Sequence, residues 1–260
     1  MEFICQKAAM SELESLASAN RHSVLIEGPQ GCGKSYLAKQ YAKMLEVDDF
    51  QIVSPKVDVI KETVDACLQL NTPIVLCVEN LDLGVPAASY ALLKFLEEPS
   101  ANVYIVVTCR NIQNVPDTII SRSAVVVTAP PVDIDVSAYS LNKDAETFKS
   151  IQLHPLWRCV RTFTDADTVL NMNSAQVEYF SQLNSMVGFR DSVSNIVWKL
   201  GHYNDNTDAP VELVIRYLMD LVGTPHIRQA GISCMRDISQ GRIAGHAALT
   251  KFAFELKYCE

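Results

Sequence analysis

The segment Gly28-Pro29-Gln30-Gly31-Cys32-Gly33-Lys34-Ser35 constrains this chain more than any other part of it. It fits the pattern G-x-x-x-x-G-K-[ST] in full, and the β-branched, apolar run Val24–Glu27 stands directly before it. From Lys34 the spacing turns helical, with Leu37, Tyr41 and Leu45 four residues apart. A strand, a glycine-rich turn and a helix in that order make a cradle for phosphate. Glycine lets successive backbone N–H groups turn inward, and the helix amino terminus adds positive potential. The segment therefore predicts a nucleoside triphosphate site built from Gly28, Pro29, Gly31, Cys32, Gly33, Lys34, Ser35 and Tyr36. Lys34 is placed on the outer phosphates, and Ser35 offers its hydroxyl to Mg²⁺.

The first half of the chain alternates strand-like and helix-like stretches. Val24–Glu27, Gln51–Ser54, Ile74–Val78, Val103–Cys109 and Ala124–Thr128 read as five strands, the middle three apolar on both faces. Pro86 suits the first position of a helix over Pro86–Glu98. This rhythm predicts an α/β domain with a parallel sheet over residues 1–129. Ala129-Pro130-Pro131 cannot continue a central strand and closes that domain. Helical patterns follow, cut by the polar stretch Gly201–Pro210 into an all-α part at 130–203 and another at 204–260.

Composition excludes several classes. The 22 Lys+Arg against 30 Asp+Glu give a net charge of −8 with no basic run, which argues against a lone nucleic-acid-binding module. The apolar runs fall far short of the ~20 residues of a membrane span. The amino terminus has no signal-peptide core, so the expectation is a cytoplasmic protein without a membrane. The 8 cysteines show no C-x-x-C spacing, which predicts buried reduced thiols rather than a zinc or redox site.

Three further segments carry a resemblance. Ala91-Leu-Leu-Lys-Phe-Leu-Glu-Glu-Pro99 and Ile119-Ile-Ser-Arg-Ser123 closely resemble segments of AAA+ clamp-loader subunits. Those are the gamma/tau and delta-prime subunits of bacterial DNA polymerase III and the small subunits of replication factor C. Gly188-Phe-Arg190-Asp191, one residue shorter between Gly and Arg, is similar to the family's lid sequence G-x-x-R-D, and Gln240–Leu249 is similar to its last collar helix. The resemblance implies an AAA+ P-loop domain, a helical lid and a helical collar. It also implies bound ATP and Mg²⁺, a ring of loader subunits (a pentamer), a sliding clamp and primer–template DNA as partners. Under it Arg190 is the second sensor, reaching from the lid to the phosphates. Arg122 is an arginine finger acting on the ATP of a neighbouring subunit.

The main departure lies ahead of the ALLK helix. The family carries a Walker B Asp-Glu pair there, the Asp twelve residues before the ALLK alanine, and Glu79-Asn80 stand in that register. Glu79 keeps a carboxylate for the metal. Asn80 replaces the general base, and an amide cannot accept the proton of the attacking water. Asp82 could compensate from a turn further on. The family's first-sensor position falls at Arg110, or at Asn111 after a shift of one residue. Ser123 stands where the family has Cys, and the stretch Glu46–Pro55 is too short for the zinc insertion of the gamma and delta-prime subunits. These departures lead to the expectation of a subunit that binds ATP, hydrolyses it weakly or not at all, and offers Arg122 in trans. The alternatives are an active homo-oligomeric loader ATPase of phage type, a non-catalytic nucleotide-bound scaffold and a small-molecule kinase.

Overall fold

The computed structural model describes residues 6–67, 72–97, 101–188, 211–239, 242–243 and 245–257. The chain divides into two compact units, the first running to Asp135 and including Thr162–Thr164, the second formed by Val136–Arg161 and the chain from Asp165 onward.

The first unit begins with α1 (Lys7–Ser18), β1 (Ser23–Glu27), α2 (Lys34–Met44), β2 (Asp49–Val53) and α3 (Val57–Cys67). It continues with β3 (Ile74–Val78), α4 (Pro86–Glu97), β4 (Val103–Cys109), α5 (Asp117–Ile120) and β5 (Ala124–Val127). The strands form one five-stranded sheet in the order β2-β3-β4-β1-β5, every pair parallel. The predicted α/β domain with a parallel sheet is what forms.

Strand pleating sorts the side chains between two cores. Val24, Ile26, Val75, Cys77, Tyr104, Val106 and Val126 pack with Leu13 of α1 and Leu37 and Tyr41 of α2. Their neighbours Leu25, Leu76, Val78, Ile105 and Val107 pack with Ile60 and Val64 of α3 and Leu92 and Phe95 of α4. One expectation needs correcting here. The run at Gln51–Ser54 was read as a strand covered on both faces, but β2 is the edge strand and pairs only with β3. Its side chains are mostly open to solvent, Ile52 to 56%. A short apolar run looks the same at an edge as at the centre, because only pairing decides which it is.

The second unit holds the rest of α6 (Asp133–Lys143), then α7 (Ala145–Ile151), most of α8 (Phe163–Leu170), α9 (Ser174–Gly188), α10 (Val211–Val222), α11 (Pro225–Ser239) and α12 (Gly245–Lys257). Its described elements are helical, as expected after Pro131. Tyr217 of α10 donates to the Phe180 carbonyl of α9 at 3.0 Å, its ring edge-on to Phe180. Arg216 makes a two-pronged bond to Asp165, at 2.6 and 3.2 Å, and also reaches the Cys159 carbonyl at 3.2 Å. The expected boundary at 203/204, the second sensor Arg190 and the stretch Gly201–Pro210 lie outside the described residues.

Candidate nucleotide-binding site

The glycine-rich segment lies at the carboxyl end of β1, between β4 and β5, where ligands of open α/β sheets bind. Gly31 and Gly33 take positive φ, 72° and 94°, so the backbone can curl before α2. Gly33 caps α2 with no side-chain bond, which leaves the first-turn amides for an anion. Thr162 lies so close to Gly31 that a Cβ there would sit 2.6 Å from its Cβ and Oγ1. The Phe163 amide donates to the Gly31 carbonyl at 3.1 Å. Cys32 is fully buried with its Sγ 3.0 Å from Thr128 Oγ1. Pro29 is exposed at the rim, and Tyr36 is half-buried on the first turn of α2.

Lys34 folds back into the cradle. Its Nζ donates to the carbonyls of Gly28 at 2.7 Å and Pro29 at 2.8 Å, and the residue is only 7% exposed. Burial pulls the ammonium pKa below its ordinary value; Cys32 pushes the other way, and the nearby Arg110 guanidinium pulls it down further. A buried cation beside a second cation is stabilised when an anion arrives, so the cradle suits phosphate. The Ser35 hydroxyl donates to Glu79 Oε1, which places two hard oxygen groups together as Mg²⁺ requires. Among the described residues no cluster of three His, Cys, Asp or Glu could hold a metal unaided, so a Mg²⁺ here would rely on phosphate oxygens as well.

The pleat explains why these groups meet. Cys77 faces α2, so Glu79, two residues on, points to the same side and reaches Ser35. Tyr104 and Val106 face α2 too, and the same alternation brings Thr108 and Arg110 toward the cradle. Thr108 is 1% exposed and its Oγ1 accepts the Asn80 amide at 3.0 Å, which fixes the turn after β3. Sequence reading passed over Thr108, although the alternation along Val103–Cys109 could have found it. Asn80 itself has φ 51° and ψ 50°, a left-handed conformation that Asn tolerates better than Glu.

Arg110 and Asn111, the two first-sensor candidates, have different surroundings. Asn111 is exposed, its Oδ1 accepts from the Gln113 amide, and its own amide donates to Asp82 Oδ2. Arg110 instead lies near Lys34, with its Nε buried and unbonded among the described residues. Asp82 Oδ1 is in the same condition, and Asp82 too lies within electrostatic reach of Lys34.

Arg122 stands elsewhere. Two residues ahead of β5, it lies at the amino end of the sheet, since β1 and β5 pair in parallel from Val24↔Ala124 to Glu27↔Val127. Its Nη2 donates to Glu97 Oε1 at 2.8 Å and its Nη1 to the Thr118 carbonyl at 2.9 Å. Ser123 Oγ, in place of the family's Cys, sits 2.8 Å from Ser23 Oγ at the start of β1. A cavity of about 620 Å³ opens beside Arg122, lined also by Arg21, His22 and Asn20.

Residues 51–131, which hold Glu79, Asn80 and Arg122, match the family described as DNA polymerase III, delta subunit. A DNA polymerase III gamma subunit-related protein from Thermotoga maritima shares the fold, with a TM-score of 0.59 at 13% identity over 96% of this chain and 99% of that one. At 13% identity the likeness to that structure is one of fold, and the family match is confined to the segment 51–131. Two RuvB mutants of Thermotoga maritima match more weakly, both at 15% identity, with TM-scores of 0.46 and 0.48. They cover 71% and 70% of this chain and 65% and 63% of their own. No curated protein sequence matches it.

The six described cysteines are all free and buried, as expected of reduced thiols. Burial pushes the thiols of Cys77 and Cys109 up to about 12. In the second unit, His154 Nε2 lies 2.8 Å from Ser181 Oγ, but the pair is not a nucleophile and its base. The Leu156 amide donates to His154 Nδ1, so Nε2 carries the proton and the ring cannot deprotonate the serine. Among the described residues no helix is long and apolar enough to cross a membrane.

Proposed function

We propose that this chain is a clamp-loader subunit that binds ATP with Mg²⁺, hydrolyses it weakly or not at all by itself, and offers Arg122 to the ATP of a neighbouring subunit. One observation carries the reading: Arg122 and the phosphate cradle lie at opposite ends of the same strands. The five residues of β1 put roughly 15 Å between those ends at ~3.3 Å per residue. Arg122 therefore cannot serve its own cradle, and a finger that serves another one implies head-to-tail contacts in a ring.

In the bound state Lys34 and the α2 amides would hold the outer phosphates, and Ser35 and Glu79 would hold Mg²⁺, which supplies charge neutralisation at the phosphoryl oxygens. Asn80 leaves no carboxylate where the family has its general base, which supports weak turnover. Arg190 would be the second sensor. Exposed Leu83 and Val85 after the Asn80 turn, with Val59 on α3, support this edge as the face that docks a sliding clamp. In such a ring, primer–template DNA is the nucleic-acid partner.

The test is ATP turnover by the purified chain and by the complex it forms in its native host. A finger of this kind is worth ~10³–10⁵ in rate. Arg122→Ala should therefore leave the complex nearly inactive while sparing ATP binding. Unchanged turnover by that complex would remove the finger, and brisk turnover by the chain alone would remove the weak-hydrolysis reading. One observation favours a second reading, the active homo-oligomeric ATPase: Asp82 holds an unbonded carboxylate oxygen near Lys34. Under that reading Asp82→Asn abolishes turnover by the chain alone.

A further inference from the structure

Arg122 has five N–H donors, and the structure engages them unevenly. Nη1 donates to the Thr118 carbonyl at 2.9 Å and meets Ser121 Oγ at 3.5 Å, while Nη2 donates to Glu97 Oε1 at 2.8 Å. The first two partners belong to the same short stretch of chain as Arg122 itself. Glu97 alone comes from another element. It is the last residue of α4, whose preceding residues Phe95 and Leu96 are each 8% exposed in the core. The carboxylate, its side chain 52% exposed, is thus presented by the end of a helix packed into the core rather than by a loop. The Arg122 side chain is 34% exposed, and its Nε–H makes no bond among the described residues. The two terminal nitrogens are held, the Nε–H is not, and the residue lines a cavity together with Arg21 and His22.

We infer that Glu97 is a positioning residue for Arg122: it fixes the guanidinium so that the free Nε edge is ready for the phosphates of a neighbouring subunit's nucleotide. The inference rests on the proposed finger role of Arg122. A long side chain free to rotate must be ordered at each turnover, and this lowers the fraction of productive encounters. Held at Nη1 by the Thr118 carbonyl of α5 and at Nη2 by the end of α4, Arg122 meets the phosphate already oriented. Glu97 touches no substrate and acts only through Arg122.

The complex purified from its native host provides the test, with kcat and KM measured for each variant. Glu97→Ala should lower kcat about tenfold with KM unchanged, the scale of a small misplacement of a catalytic group. Glu97→Gln, whose amide oxygen still accepts from Nη2, should recover most of that loss. Glu97→Asp keeps the charge but withdraws the oxygens by one methylene, so it should behave like Glu97→Ala. This comparison decides the matter even if the alanine variant fails to assemble. In an Arg122→Ala complex, Glu97→Ala should cause no further loss. A full kcat in Glu97→Asp, a rise in Glu97→Ala, or additive losses in the double variant would each overturn the inference. If Arg122→Ala by itself has no effect, it is the finger reading that fails.

Discussion

Gly28, which follows β1, offers the sharpest test of how the cradle is packed. A Cβ on this residue would lie 1.7 Å from Thr128 Oγ1 and 3.1 Å from both Thr128 Cβ and Cys32 Sγ. Thr128 cannot step aside easily, because it is β-branched and its hydroxyl donates to the Glu27 carbonyl at 2.9 Å. Overpacking of this kind costs ~1–3 kcal/mol, and the closeness of the clash puts Gly28→Ala near the upper end. Thr128→Ala loses the bonds to the Glu27 carbonyl and Cys32 Sγ, at a cost of about 1 kcal/mol. It also removes the atom that clashes. The double variant should therefore lose about 2 kcal/mol rather than the additive value of about 4, a coupling of about 2 kcal/mol. The chain has two units and need not unfold in one step, so the assay is urea titration read by hydrogen exchange at β1 and β5 amides. Additive losses, or a Gly28→Ala penalty within ~0.5 kcal/mol, would refute the steric account.

Asn80→Glu restores the family's carboxylate but puts a non-Asn residue at φ 51°, so the chain should gain ATP turnover while losing ~1 kcal/mol of stability. Turnover assays beside urea titration check both, and unchanged turnover would show that the amide is not what limits hydrolysis. In the second unit, burial holds the His154 pKa below its ordinary value, and the Leu156 amide would oppose a proton on Nδ1. With a folded pKa lower than the unfolded one, the stabilisation is complete above pH ~6.5 and is lost as pH falls below that value. Comparing urea midpoints at pH 7.5 and 5.5 should show a drop that shrinks in His154→Asn. An equal drop in both proteins would assign the pH dependence to other groups.

The Gly28–Ser35 pattern carries its own local structure, because glycine at Gly31 and Gly33 and a helix start at Lys34 depend on neighbouring residues alone. The same holds for the five strands, the break at Ala129–Pro131 and the helical texture beyond it. The apolar run Ile74–Val78 likewise marks where β3 ends, directly ahead of Glu79 and Asn80.

Other features depend on which elements become neighbours, and a linear pattern does not encode this. β2 reads as a buried strand but lies at the edge, since burial is set by strand order. Thr108 became part of the site only when β4 was inserted beside β3 and its Oγ1 met the Asn80 amide. Thr162, 131 positions beyond Gly31, has no sequence signal that would put it against the cradle. The sequence determined that a glycine-rich turn joins β1 to α2 and that an arginine stands just ahead of β5. Parallel pairing of β1 with β5 decided that the two face opposite ends of the sheet, because strands running the same way keep carboxyl-end loops apart from amino-end loops.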